Sequence, residues 1–390
     1  MKKMTRVLSM AMAAVLVIGS LTACGGGEDK AAATTTKDGE NTFLIGGIGP
    51  ITGAAASYGI SVKQGAEVAI AEINEAGGVK VGDATYKLAL TFADDEATED
   101  KAIQAYNAVM DEGAQAIMGA VTSGACIAIT DLTAADGILQ ITPSGSAMDC
   151  TKNDNGFRVC FTDPAQGKEM AALAVNTLGY KKVAVIYNSA DDYSMGIKES
   201  FEAEVKSLGG EVVASEAFVT GDVDFNTQLT TIKGTDAEAI FVPAYYQDAT
   251  YITKQAADMG MALPFLGSDG WDGVLSTVTD AATVEGAIFL SPFFAADPSE
   301  NVVAFVEAYK AAYKGATPDQ FAADAYDCVY AIKAAMETAG SVEGADMIAA
   351  MTEITVDGLT GEGITWTADG EPNKGCKFIQ IIDGAYTLYE

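Results

Sequence analysis

Short apolar runs alternate with stretches of helical periodicity along nearly the whole chain. The run 43–48 leads into Gly49-Pro50-Ile51-Thr52-Gly53, and apolar positions then recur at helical spacing over 62–73 until Gly77-Gly78 stops the pattern. This is one strand-loop-helix unit. A strand over 88–92, a helix over 98–110 and strands over 116–118 and 138–141 continue it. Past Phe161-Thr162-Asp163-Pro164 the pattern restarts, with a helix over 170–178 and strands over 182–187, 212–218, 239–242, 264–267 and 287–290. Helices over 302–313 and 321–337 and strands over 378–382 and 386–389 complete it. Alternation of this kind predicts α/β architecture, with parallel sheets covered on both faces. The first half runs strand, Tyr58-Gly59, helix, Gly77-Gly78; the second runs strand, Tyr193-Ser194-Met195-Gly196, helix, Gly209-Gly210. Two doubly wound lobes of one architecture are therefore expected.

The stretch 119–149 concentrates small hydroxyl residues at strand ends. One loop carries Val121-Thr122-Ser123-Gly124 and opens a helix over 126–136; the next carries Pro143-Ser144-Gly145-Ser146. Backbone N–H groups at such turns, together with a helix N-terminus, suit a small anion. Taken singly, either loop could serve only to cap a helix. In open α/β sheets ligands bind at the carboxyl ends of the strands, so a cleft shared by two lobes is the expected site.

The run Ile141-Thr142-Pro143-Ser144-Gly145-Ser146-Ala147, with Gly119-Ala120-Val121-Thr122-Ser123-Gly124 before it and Ala56-Ser57-Tyr58-Gly59 near the start of the fold, resembles the leucine/isoleucine/valine-binding family of ABC-transporter substrate-binding proteins. The resemblance implies a type I periplasmic binding protein fold, a Venus flytrap of two lobes joined by a multi-strand hinge. It places the crossings near 161–164, 289–293 and 357–363. Lobe 1 is then 42–162 plus 293–357, and lobe 2 is 163–292 plus 358–390. Ser123 and Ser146, with their N–H groups, suit a ligand carboxylate, and the resemblance implies that the residues matching Ser144 and Ser146 contribute a carbonyl and a hydroxyl to the ligand. Asp269, in Gly267-Ser268-Asp269-Gly270-Trp271, would take the ligand ammonium. Tyr58, Tyr193, Tyr245 and Phe321 match family positions that face the ligand. Trp271, which has no large counterpart in the best-known members, is expected beside them and bears on side-chain preference.

The N-terminus follows a different rule. Lys2, Lys3 and Arg6 precede an apolar run over 7–18 and then Leu21-Thr22-Ala23-Cys24, which matches a bacterial lipoprotein signal: residues 1–23 are expected to be a signal peptide and Cys24 to be lipidated. Residues 24–41, rich in Gly, Ala, Thr and charge, read as a flexible tether. No later apolar stretch approaches the roughly 18 residues of a membrane span, so an exported, lipid-anchored monomer is expected. The leader holds three of the 23 basic residues and none of the 54 acidic ones, leaving 20 against 54, a formal charge of −34. Nucleic acid is an unsuitable partner for such a surface.

The chain has no histidine, which removes Ser/His/Asp and Cys/His catalysis and every His-ligated metal site. No metal or other cofactor is expected, and no enzyme. Gly47-Ile48-Gly49 is followed by Gly53, one residue too far for a dinucleotide fingerprint, and Asp222-Val223-Asp224-Phe225-Asn226 lacks both the glycine and the distal glutamate of a calcium loop. Of six cysteines, Cys126 and Cys328 sit in helical patterns. Cys150 and Cys160 flank a segment with Asp154-Asn155-Gly156 at its centre, good turn material, and export permits a disulfide between them. The expected function is extracytoplasmic capture of a branched-chain or other apolar α-amino acid for the membrane subunits of an ABC importer. The alternatives are a binder of amides or aromatic acids, and the ligand-sensing subunit of a receptor.

Overall fold

The computed structural model describes residues 34–35 and 41–389. The signal peptide and Cys24 expected from the sequence lie outside the described residues, as does most of the tether. Within that stretch Thr34–Thr35 forms strand β1, antiparallel to β2 (Asn41–Gly49).

Two α/β lobes are built on two sheets, whose central strand runs are apolar because they are covered on both faces, while the edge strands keep exposed residues. The first lobe contains α1 (Ala56–Glu75), β3 (Val79–Val81), β4 (Ala84–Asp94), α2 (Glu99–Asp111), β5 (Ala116–Met118), α3 (Ser123–Ala135), β6 (Leu139–Thr142) and β7 (Gly156–Arg158). Its sheet order is β3-β4-β2-β5-β6-β7, parallel except for the β3–β4 pair. Phe43, Ile45, Leu88 and Met118 pack toward α1, while Ile48 and Ile117 pack toward α2 and α3, the alternation that a pleated strand dictates. Gly77 and Gly78, at φ of 117° and 94°, end α1 in backbone that only glycine adopts readily.

The second lobe holds α4 (Asp163–Ala172), β8 (Lys182–Asn188), α5 (Asp192–Ser207), β9 (Glu211–Phe218), α6 (Asn226–Lys233), β10 (Ala239–Val242), α7 (Tyr246–Asp258), β11 (Phe265–Gly267) and β12 (Ile288–Ser291). The chain then makes α8 (Glu300–Ala312), α9 (Gln320–Ala339) and α10 (Gly344–Ala350) before β13 (Lys377–Ile382) and β14 (Ala385–Leu388). The order of the second sheet is β14-β13-β12-β11-β10-β8-β9; β12, β13 and β14 run antiparallel, so both sheets are mixed rather than wholly parallel. α9 packs along α1 on the first lobe. They approach so closely at Gly65 that an added Cβ would lie 1.9 Å from the carbonyl oxygen of Ala322.

The helix expected over 170–178 begins earlier, at Asp163. Thr162 accepts from the Ala165 amide and Pro164 sits in the first turn, two N-terminal devices that outrank apolar periodicity. The Cys150–Cys160 disulfide that export would permit is not formed: both thiols are free. The Asp154-Asn155-Gly156 turn does not close a hairpin between them but feeds β7, which pairs parallel with β6. Cys150 instead lies in a short 3-10 turn (Met148–Thr151) under α3, its thiol 3.7 Å from the Ser123 carbonyl and packed with Cys126.

Candidate functional site between the lobes

The loops after β5 and β6 are bonded into one unit. Thr142 Oγ1 donates to the Ala120 carbonyl at 2.6 Å and accepts from Gly145 N at 2.8 Å. Ser144 Oγ donates to the Val121 carbonyl at 2.7 Å. Ser123, the first residue of α3, accepts from the amides of both Ser146 and Ala147, each at 3.2 Å. A hydroxyl that accepts twice still has its one proton to give, whereas Ser144 has spent its proton and presents lone pairs. Thr122 Oγ1 and Ser146 Oγ are buried without a partner.

The opposite wall comes from the turn after β11. Asp269 Oδ1 accepts from the Tyr193 hydroxyl at 2.5 Å, Gln166 Oε1 accepts from Asp269 N at 3.0 Å, and Gln320 Nε2 donates to the Asp269 carbonyl at 2.6 Å. Burial pushes the Asp269 carboxyl up to about 6, with hydrogen bonds from Tyr193 and Gln166 pulling the other way. The Tyr58 hydroxyl crosses between lobes, donating to the Gly270 carbonyl and accepting from Tyr246 N at 3.0 Å. Rings from both lobes meet here: Tyr58 and Phe321 have centroids 4.2 Å apart, and Tyr193 and Tyr245 stack at 4.9 Å.

These groups close on one another and leave a cavity of about 10 Å³, room for about one water molecule. Seven of the nine residues expected from the sequence line it: Tyr58, Ser123, Ser144, Tyr193, Tyr245, Asp269 and Phe321. Ser146 lies behind Ser123, held by its amide. Trp271 does not line it. Its indole is fully buried inside the second lobe, stacked on Gly267, with Nε1 donating to the Val242 carbonyl at 2.8 Å, so it cannot read a ligand side chain.

Sequence reasoning named Thr122 only as part of its loop and gave no role to Gln166, Gln320 or Asp163. Asp163 is fully buried at the first crossing, its amide bonded to the Ser146 carbonyl at 3.0 Å. Its carboxyl lies near the Ser146 hydroxyl without a well-formed hydrogen bond, and burial pushes it well above the usual carboxylate range. The Asp-Pro pair opening a helix was its only signal.

Beside the cavity, and sharing Thr122 and Tyr245 with it, opens a cleft of about 760 Å³. The first lobe contributes Glu96, Glu99 and Asp100 to its walls and the second Asp191, Asp192, Asp222 and Asp248, against Lys101 alone. Burial pushes Asp191 and Asp248 up to about 7, and neighbouring carboxylates add to the shift.

The chain is similar to known solute-binding proteins along most of its length. The sequence profile of the periplasmic binding protein family matches residues 42–385. A Leu/Ile/Val-binding protein homolog of Brucella melitensis is 32% identical, the match covering 79% of this chain and 82% of the relative. The branched-chain amino acid transporter substrate binding protein LivJ of Streptococcus pneumoniae, solved in complex with isoleucine, is 32% identical with a TM-score of 0.81, over 89% of this chain and 99% of that one. A solute binding protein of Rhodopseudomonas palustris solved with benzoate shares the fold, with a TM-score of 0.79 at 22% identity over 89% and 95% of the two chains.

Proposed function

Because the chain belongs to the periplasmic binding protein family, whose members bind solutes outside the cytoplasm, we propose that it captures a branched-chain or other apolar α-amino acid between its lobes and delivers it to the membrane subunits of an ABC importer. The observation that carries this reading is the pairing of opposite chemistries across one small cavity. Ser123, left with a proton to donate, suits the carboxylate, and the buried carboxyl of Asp269 suits the ammonium. Ser146 supports the carboxylate side from behind Ser123, Ser144, its proton spent, suits the ammonium instead, and Tyr58, Tyr193, Tyr245 and Phe321 form an apolar wall for the side chain. The relatives that bind leucine, isoleucine and valine support the same ligand class.

An aromatic acid would suit the four rings, but it lacks the ammonium and would leave Asp269 unmatched, at a cost of about 1–3 kcal/mol. We further propose the signal peptide of residues 1–23, lipid attachment at Cys24, and the lobe division given above with its third crossing moved. The third crossing is placed before Lys377 rather than near 357–363, since Trp366 and Gly370 remain bonded to Arg158 of the first lobe. Titration calorimetry of the mature chain against the twenty amino acids tests the function. Micromolar or tighter binding of leucine, isoleucine or valine is expected, and silence across the panel would overturn it.

A further inference from the structure

The chain has two arginines, Arg6 in the leader and Arg158; every other basic residue is lysine. Arg158 ends β7, and its side chain is fully buried behind the Ser144–Met148 turn. Nη1 donates to the Gly145 carbonyl at 2.9 Å, and Nη2 to the carbonyls of Ala147 at 3.0 Å and Met148 at 3.3 Å and to Thr151 Oγ1 at 3.1 Å. Nε donates to Glu371, 3.0 Å away. Only a guanidinium can fan donors to so many acceptors from one fixed plane; a lysine ammonium has three donors on a flexible stem.

With its carbonyls drawn back onto Arg158, the turn must present its amides the other way, and those of Ser146 and Ala147 converge on Ser123 Oγ. Glu371 fixes the plane of the guanidinium and also accepts from Thr151 Oγ1 at 2.9 Å. It reaches this place because Gly370 packs against the Gly156 carbonyl, where an added Cβ would lie 2.1 Å away. The Arg158 backbone is held by the same stretch, its amide on the Gly370 carbonyl at 3.1 Å and its carbonyl on Trp366 Nε1 at 2.7 Å.

We propose that Arg158, oriented by Glu371, is a positioning residue for carboxylate recognition: without touching the ligand, it holds the Ser144–Met148 turn so that two amides saturate Ser123 Oγ and commit its proton to the cleft. The proposal rests on the amino-acid reading of the cavity and deepens it. A side chain serving stability alone would alter every ligand contact alike. A positioning residue acts through Ser123.

The test uses the mature chain carrying Arg158→Lys, Glu371→Gln, Ser123→Ala and the Arg158→Lys/Ser123→Ala pair, with L-isoleucine as probe. Calorimetry should show isoleucine affinity falling about tenfold or more in R158K and E371Q. In the S123A background R158K should cost little further, since both changes remove the same interaction. Independent, multiplying losses would overturn the proposal. Amide exchange without ligand gives the second arm. Ser146 and Ala147 should exchange about tenfold faster in R158K and E371Q while β10 and β11 amides keep their rates. Unchanged exchange at the two amides would overturn it as well. E371Q retains an acceptor for Arg158 and serves if R158K fails to fold. If the wild type ignores isoleucine, the ligand reading fails, and the exchange arm still decides whether Arg158 governs the turn.

Discussion

Asp269 faces opposed demands: burial favours its neutral form, and an ammonium partner needs it charged. Its carboxyl is pushed up to about 6, so binding of an amino acid should hold steady above about pH 7 and weaken below 6, approaching tenfold per unit as one proton is displaced. Calorimetry from pH 5 to 8 reads this directly. Stability without ligand should move the other way. Asp95, Asp191 and Asp248 at about 7 and Asp272 at about 8 are all raised by burial, so the fold binds more protons than the unfolded chain. The stability this lends is full below about pH 4 and is lost as pH rises through roughly 6 to 8. Thermal melts should therefore show a higher Tm at pH 5 than at pH 8. Asp269→Ala should weaken amino-acid binding by two orders of magnitude or more, about 3 kcal/mol, by leaving a buried ammonium alone. Asp272→Ala should do far less, because Asp272 turns away from the cavity and accepts from Gln320 N at 3.0 Å. Equal losses would refute the assignment of Asp269.

Elements were legible in proportion to how far local sequence decides them. Strands β5 and β10 lie where their apolar runs do, 116–118 and 239–242. β7 did not announce itself: Gly156-Phe157-Arg158 is three residues whose pairing with β6 is a long-range event, and its glycine reads equally well as a turn. The same ambiguity left a Cys150–Cys160 bridge open. The site was legible where motif residues sit on strand ends, as Ser123, Ser144 and Asp269 do. Trp271 was misplaced because an aromatic two residues beyond a ligand-facing position can turn inward, and only the space above Gly267 decides that it does. Arg158 left one signal, its rarity. Helix packing offers a sharper test. At Gly65 an added methyl would meet the backbone of α9, which cannot rotate aside, so Gly65→Ala should cost about 3 kcal/mol, at the upper end for overpacking. Urea denaturation monitored by circular dichroism would show it, and a change under 0.5 kcal/mol would mean that α1 and α9 slide freely.

The two lobes meet through few polar bonds, chiefly Tyr58 to Gly270, Tyr58 to Tyr246 and Gln320 to Asp269 and Asp272. A ligand touching Ser123 on one wall and Asp269 on the other adds to them and must favour the closed arrangement. Saturating amino acid should accordingly lower the radius of gyration seen by small-angle scattering, with bending confined to strand ends near 162–164 and 291–293. An unchanged radius with binding confirmed would favour a rigid pocket. The acidic walls of the outer cleft have a consequence in kinetics. At 0.1 M salt the field of Glu96, Glu99, Asp100, Asp192 and Asp222 reaches about 10 Å, so a diffusing solute is sorted by net charge before it meets Ser123 or Asp269. A zwitterion passes unhindered and an anion is slowed. Stopped-flow association of a neutral amino acid should be nearly independent of ionic strength, while uptake of a dicarboxylic analogue should speed up as salt is added. The entrance thus makes excluding acidic metabolites a matter of arrival rate, leaving the inner cavity to discriminate by shape.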